Sequence, residues 1–467
     1  MFVRSTQELV EQLQAILSLA STEPGELKSV LIGLRAEDIA EVLASLTEDE
    51  ALRIFAALDD VRASHVLSHV NSELSQYFTL HAPESRTTQL LKLLPTDDAA
   101  EVLANVNPER ADKLLTALHQ VAPKSAIEVR ELLSYRENTA GRFMSDKFVR
   151  LREEMTVEGA FAAIRHADSD VETLTDLYVM ARQDAKGEEK LIGILSLRQL
   201  VRADPSATLA DIMTRDLITV TVDTDQEEVA RLISKYDFLA MPVLDRSGYM
   251  VGIITVDDVI DVLVEEQTED IFRQSAITTE PGVLNLPYFS VPIWTVTRSR
   301  VTWLVLLFVA ETATGTVLRH FEGDLVKVTA LGFFVPLLIG TGGNTGAQTV
   351  STIIRGLALG EIRLRDSWRV LARELSTGLL LGVILGLIAF GRAMLWNSGF
   401  ELSLVVGLTI LTIVVWANTV GALIPLIAQR FRVDPALVSA PLITTLVDAT
   451  GLVIYFFIAK LFLEQLR

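Results

Sequence analysis

The stretch Pro441-Leu-Ile-Thr-Thr-Leu-Val-Asp448-Ala-Thr-Gly451 sets an acid in the middle of an apolar run. From Leu437 to Leu463 the only other charged residue is Lys460, near the far end. As a helix, the run is long enough to cross about 30 Å of hydrocarbon. A carboxylate at that depth costs about 2.5–3.5 kcal/mol on insertion scales, so a proton, a partner, a watery cavity or a cation must offset it. The small and hydroxylated residues around Asp448 suit a cavity wall better than a lipid face.

Counting back from this stretch, four more runs have spanning length. The five lie near 301–319, 328–354, 375–396, 402–428 and 438–463, and together predict a five-helix transmembrane domain over 301–467. The connection between the second and third carries Arg355, Arg363, Arg365, Arg369 and Arg373, and the next basic pair is Arg430 and Arg432. Basic loops face the cytoplasm. The expected topology is a multi-pass protein of the plasma (inner) membrane, with its N-terminus cytoplasmic and its C-terminus outside.

Charge divides the chain. Its 467 residues carry a net charge of −19, and its mean hydropathy is +0.37. From Arg298 onward the balance is +4, which leaves −23 on residues 1–297. An acidic soluble half therefore precedes a weakly basic membrane half. Such acidity argues against nucleic acid as a partner and makes cations natural ligands; much of it also serves only to keep the surface solvated. There are no cysteines, so disulfides, thiolate metal sites and cysteine nucleophiles are excluded. The opening residues lack the apolar run of a secretory signal.

Residues 1–135 read as short amphipathic helices. Ala36-Glu-Asp-Ile-Ala-Glu-Val-Leu-Ala-Ser-Leu46 recurs as Thr96-Asp-Asp-Ala-Ala-Glu-Val-Leu-Ala-Asn-Val106, the pattern of a small superhelical array. His65 and His69 share a helix face but lack a third ligand, so they read as ordinary surface. Over 136–270 the pattern changes to short β-branched runs alternating with helices. Leu191-Ile-Gly-Ile-Leu-Ser-Leu-Arg-Gln-Leu-Val201 matches Met250-Val-Gly-Ile-Ile-Thr-Val-Asp-Asp-Val-Ile260, the layout of a tandem pair of CBS domains, which are regulatory modules. Residues 271–300 read as a linker and connecting helix.

The second apolar run holds Gly340-Thr-Gly342-Gly343-Asn344-Thr345-Gly346-Ala-Gln348. Its glycines allow either close helix approach or a break that exposes carbonyls. Asn344, Thr345 and Gln348 favour a polar lining. In the fourth run, Asn418 either lines the same cavity or hydrogen-bonds between helices.

These membrane motifs, with Ile354-Arg-Gly-Leu-Ala358, Trp416-Ala-Asn-Thr-Val-Gly-Ala422 and Asp434-Pro-Ala-Leu-Val-Ser439, resemble the MgtE family of magnesium channels, as does the order of parts. The resemblance implies a non-enzymatic, Mg2+-selective uptake channel that works as a homodimer in the bilayer. Its pore would lie at the dimer axis with Asp448 as the ion-binding carboxylate, beside Gly343, Asn344 and Thr345. It also implies regulatory Mg2+ on Asp225, Glu227, Asp258, Asp261, Glu266, Glu269 and Asp270, joined by Asp97 and Asp98. Bound Mg2+ would draw the cytosolic domains together and shut the pore. An oxygen-only site also admits a broader divalent channel for Mn2+ or Co2+, and a buried acid admits a proton-coupled exchanger.

Two departures from the family pattern stand out. CBS modules that hold ATP use Gly-x-hydrophobic-Thr/Ser-x-x-Asp. Gly252, Thr255 and Asp258 fit, with Phe238 either flanking an adenine or in the core, but Gln199 replaces the acid in the first repeat. The pattern does not require an acid at Glu311, in the first run; it either faces the pore beside Asp448 or is protonated and packed between helices. Ala440 stands where the family often has a polar residue.

Overall fold

A computed structural model describes residues 33–167, 171–181, 190–278 and 291–466, together with 10, 13, 30 and 31. The chain forms two compact units that divide at Glu266.

In the first unit, seven helices start twelve residues apart: α1 (Ala36–Ala44), α2 (Glu48–Ala57), α3 (Asp60–His69), α4 (Ser72–His81), α5 (Glu84–Leu93), α6 (Thr96–Ala104) and α7 (Pro108–Val121). An eighth, α8 (Pro123–Ser134), follows. Three of these starts carry a side-chain cap. Asp59, Asn71 and Asn107 each cap their helix by accepting from the backbone three residues on, satisfying a donor the helix itself leaves free. The repeat visible in sequence is five such periods long. Its equivalent positions are buried in both copies, Ile39, Ala40, Val42 and Leu43 against Ala99, Ala100, Val102 and Leu103.

Arginines bind successive turns together. Arg62 donates to Leu31 O, Arg86 to Leu58 O at 2.8 Å, and Arg110 to Thr79 O at 3.2 Å and Ala82 O at 3.4 Å. Each guanidinium serves carbonyls at the end of an earlier helix, which have no partner within that helix.

After α9 (Ala140–Phe143) come two copies of one small α/β unit. The first has β1 (Phe148–Arg152), α10 (Val157–Arg165), β2 (Thr173–Met180), β3 (Leu191–Ser196), α11 (Leu197–Arg202) and α12 (Leu209–Ile212). The second has β4 (Val220–Thr221), α13 (Gln226–Tyr236), β5 (Ala240–Leu244), β6 (Met250–Thr255) and α14 (Val256–Gln274). In each sheet the first strand is parallel to the second, and the second is antiparallel to the third. This is the CBS pair expected from the internal repeat.

The second unit contains α15 (Ile293–His320), α16 (Glu322–Lys327), α17 (Ala330–Ala358), α18 (Ser367–Leu395), α19 (Phe400–Arg430) and α20 (Ala440–Phe462). The five long helices among the described residues match the five apolar runs. By length and composition, α15, α18, α19 and α20 are apolar enough to cross a membrane. α17 has the length, 29 residues, but its Gly340–Gln348 section is too polar to count with them. α17 is also unbroken despite Pro336, so of the two readings of its glycines the structure takes close approach. Residues 279–290 of the expected connecting segment lie outside the described residues, and residues 293–300 are the first turns of α15. α18 and α19 pack along the glycine row Gly378, Gly382 and Gly386, where small residues let the backbones meet.

Candidate functional site

Within the first unit, acids from the helical array and the CBS pair converge. Asp97 and Asp98 stand in the first turn of α6, and Asp258 in the first turn of α14. Thr255 Oγ1 donates to Asp258 Oδ2 at 2.6 Å, so this Asp caps its own helix. Ser196 and Gln199 make the matching cap in the first repeat. A capping box accepts Gln as well as an acid, which accounts structurally for Gln199.

The cluster carries far more negative charge than positive. Withdrawal from water, with Glu172 adding repulsion, pushes Asp97 up to about 6. Asp98 reaches about 8 through the same desolvation and through Asp97, Glu101, Asp258 and Glu172. Asp258 rises to about 6 by desolvation, with Asp97 and Asp257 adding to it against the Thr255 hydrogen bond. Glu172 is raised by burial and by Asp258. Glu101 is within electrostatic reach of Glu265, Asp261 and Asp258, with Arg142 as the offsetting base. Asp97 Oδ1 is buried without a hydrogen-bond partner among the described residues. No three acidic or histidine side chains among the described residues converge into a closed metal cage.

The other expected regulatory residues are differently engaged. Asp225 is exposed and caps α13 through Glu227 N at 3.0 Å. Glu266 accepts from Gln226 Nε2 at 2.8 Å. Asp261 is exposed on α14, and its carboxyl is raised by desolvation against the pull of His69. In the second unit, Glu269 pairs with Arg273, which also bonds Asp434. Glu227 is exposed and Asp270 half-buried. Sequence reasoning missed Glu172, Glu101 and Arg273. Glu101 was legible as one helical turn from Asp97, but Glu172 reaches the cluster only through the fold.

Gly252 has a packing role. A methyl group there would lie 2.8 Å from Met144 Sδ, and at Gly193 it would lie 2.2 Å from Met213 Sδ. Both glycines make room for a passing chain whose bridges are Ser145 to Ile253 and Thr214 to Ile194. Phe238 packs half-buried against the core and stacks on Tyr236 at 5.5 Å.

In the second unit, Asp448 is 7% exposed, and its Oδ1 has no hydrogen-bond partner among the described residues. Lys460 does not serve it, being 2.9 Å from Asp324. Gly343 of α17 lies opposite. A methyl group there would be 2.6 Å from Thr444 Cγ2 and 3.4 Å from Asp448 Oδ1, so the bare glycine lets α20 seat against α17. Asn344 and Gln348 are exposed on α17, while Thr345 is buried and donates to Thr341 O at 2.7 Å. Asn418 is 1% exposed. It accepts from Thr349 Oγ1 at 3.1 Å and donates to Glu374 O at 3.2 Å. It therefore ties α17, α18 and α19 together, the second of its two readings. Glu311 is exposed on α15.

The MgtE intracellular N domain matches residues 34–138, a CBS domain 209–265, and the MgtE divalent cation transporter domain 335–458. A protein of Thermus thermophilus named magnesium transporter MgtE is 40% identical over 98% of this chain and 99% of its own. The chain belongs to the MgtE family. A Bacillus subtilis MgtE of the same name is 30% identical over 97% of this chain and 98% of its own. A solved structure described as the cytosolic domain of the Mg2+ channel MgtE in complex with ATP is 36% identical, with a TM-score of 0.49. It covers 55% of this chain and all of its own. MgtE proteins are transporters rather than enzymes, and this member is a multi-pass membrane protein.

Proposed function

We propose that the chain is a Mg2+-selective uptake channel, built as a homodimer with its pore on the two-fold axis and gated by cytosolic Mg2+. The observation that carries this reading is Asp448, a buried carboxylate with an orphaned oxygen and no basic partner among the described residues, in a helix of spanning length. A two-fold axis supplies a second copy. Two carboxylates with amide oxygens from Asn344 suit an ion that gives up water reluctantly and binds through one or two acids. With α17 as a fifth span, the basic loops lie in the cytoplasm and the C-terminus outside.

The acids of the first unit act as the sensor. Without divalent cation at neutral pH, Asp97, Asp258 and Glu172 repel one another while Asp98 keeps its proton. Mg2+ neutralises them and favours the closed arrangement because it binds that arrangement better. Asp225, Glu227, Asp261, Glu266, Glu269 and Asp270 extend the acidic surface along α13 and α14.

The test is Mg2+ flux into liposomes carrying the full-length protein. Asp448→Ala abolishes selective Mg2+ flux while the dimer still assembles; undiminished flux at matched insertion refutes the reading. Recordings under separate Mg2+ and proton gradients distinguish a channel from a coupled exchanger, and parallel Mn2+ and Co2+ fluxes measure selectivity.

A further inference from the structure

α15 and α20 are packed in register. Phe321, at the end of α15, stacks on Phe456 with ring centroids 4.5 Å apart. Lys460 Nζ lies 5.0 Å over the same Phe321 ring and pairs with Asp324. Counting back from the stack, Glu311 is ten residues earlier on α15 and Asp448 eight residues earlier on α20. At about 1.5 Å per residue these are about 15 Å and 12 Å, so the two acids are level to within one helical turn.

The seam itself is polar at this level. Thr314 is the buried residue of α15, and helical spacing places Glu311 one turn from it, at the rim of the contact. The Thr312 and Thr316 hydroxyls return to carbonyls of their own helix. Thr314 Oγ1 does not: it is 5% exposed and without a partner among the described residues, as is Asp448 Oδ1. Two orphaned oxygens, Thr314 Oγ1 and Asp448 Oδ1, each on a residue more than nine-tenths buried, thus share this level with the Glu311 carboxylate. No Lys or Arg among the described residues pairs with either acid. A purely apolar contact would have no use for this arrangement, since each unmade hydrogen bond costs free energy.

We propose that Glu311 is a second carboxylate on the cation path, facing the same hydrated divalent cation as Asp448. The inference rests on the pore reading of Asp448 and adds to it. Each subunit then brings two acids to the ion, which raises the local cation concentration and excludes anions.

The chain has no cysteine, so Glu311→Cys creates a unique thiol. In full-length protein in membranes, a small cationic thiosulfonate reagent modifies this thiol, and millimolar Mg2+ slows the reaction severalfold. A thiol that stays unmodified, or reacts at the same rate with and without Mg2+, overturns the proposal. In liposome flux, Glu311→Gln keeps the hydrogen-bonding capacity but removes the charge. It raises the half-saturating Mg2+ concentration about tenfold, a factor set by 1.4 kcal/mol, and Glu311→Asp restores most of the loss. An unchanged half-saturation in the Gln variant marks Glu311 as packing only. If Asp448→Ala is dead and Glu311→Gln is normal, this inference fails alone. If the wild-type chain carries no Mg2+, the channel reading fails, and the labelling still reports whether position 311 meets water.

Discussion

Arg273, in the last turn of the helix that leaves the second CBS repeat, bonds Asp434 in the loop that leads into the Asp448 helix. Arg273 also holds Glu269 one turn back on its own helix. Both residues belong to the second unit, so the end of this helix is tied, through one guanidinium, to the root of the helix that carries the buried acid.

Breaking that tie loosens regulation before it harms conduction. Arg273→Ala is expected to keep Mg2+ flux but to need about three- to fivefold more cytosolic Mg2+ for closure, the effect of losing a partly exposed ion pair of about 1 kcal/mol. Inhibition curves in patches or inverted vesicles check this, and the exchanged pair Arg273→Asp with Asp434→Arg recovers part of the shift.

The acidic cluster makes stability depend on pH in the direction opposite to that of ordinary salt-bridged acids. Asp97, Asp98 and Asp258 hold their protons to about 6, 8 and 6 in the folded chain, against about 3.9 for an unfolded Asp. Between these limits the folded state binds more protons, so stability falls as pH rises from about 4 to 8. Thermal melts of the metal-free protein should therefore rise as pH drops from 8 to 5.5. Added Mg2+ should flatten the slope, and Asp98→Asn should remove much of it.

Gly343→Ala places a methyl group 2.6 Å from Thr444 Cγ2. Overpacking of this kind costs about 1–3 kcal/mol. The variant should melt at lower temperature in detergent and pass less Mg2+, with Gly343→Val worse on both counts.

Asn418→Leu should behave differently. It leaves Thr349 Oγ1 without its acceptor, at a cost of about 1–3 kcal/mol. The expected outcome is reduced thermal stability with ion preference unchanged, measured as the ratio of Mg2+ to Co2+ flux.

The membrane helices were the most legible part of the fold, because apolar runs of spanning length admit few alternatives. The polar middle of α17 shows where that signal weakens: the glycines and amides that seat α20 against it also lower its hydropathy. The CBS pair was visible because its strands and following helices repeat. The twelve-residue period of the helical array was not, because the caps differ chemically from turn to turn: Thr47, Asp59, Asn71, Pro95 and Asn107 mark equivalent positions. At the sites, spacing revealed which acids exist but not which meet. Glu172 joins Asp258 from a distant part of the chain. Asn418 needed its two neighbouring helices, α17 and α18, before one of its two readings prevailed.

The twelve-residue spacing of the helical array makes its length modular. The arginine ladder of residues 62, 86 and 110 advances by two helices at a time. Excising or duplicating a multiple of twenty-four residues keeps the spacing of the arginines and the helix ends they serve, whereas other lengths break it. Such an array can grow or shrink in whole steps, like links added to a chain, and so change the reach of its acidic end without redesigning any contact.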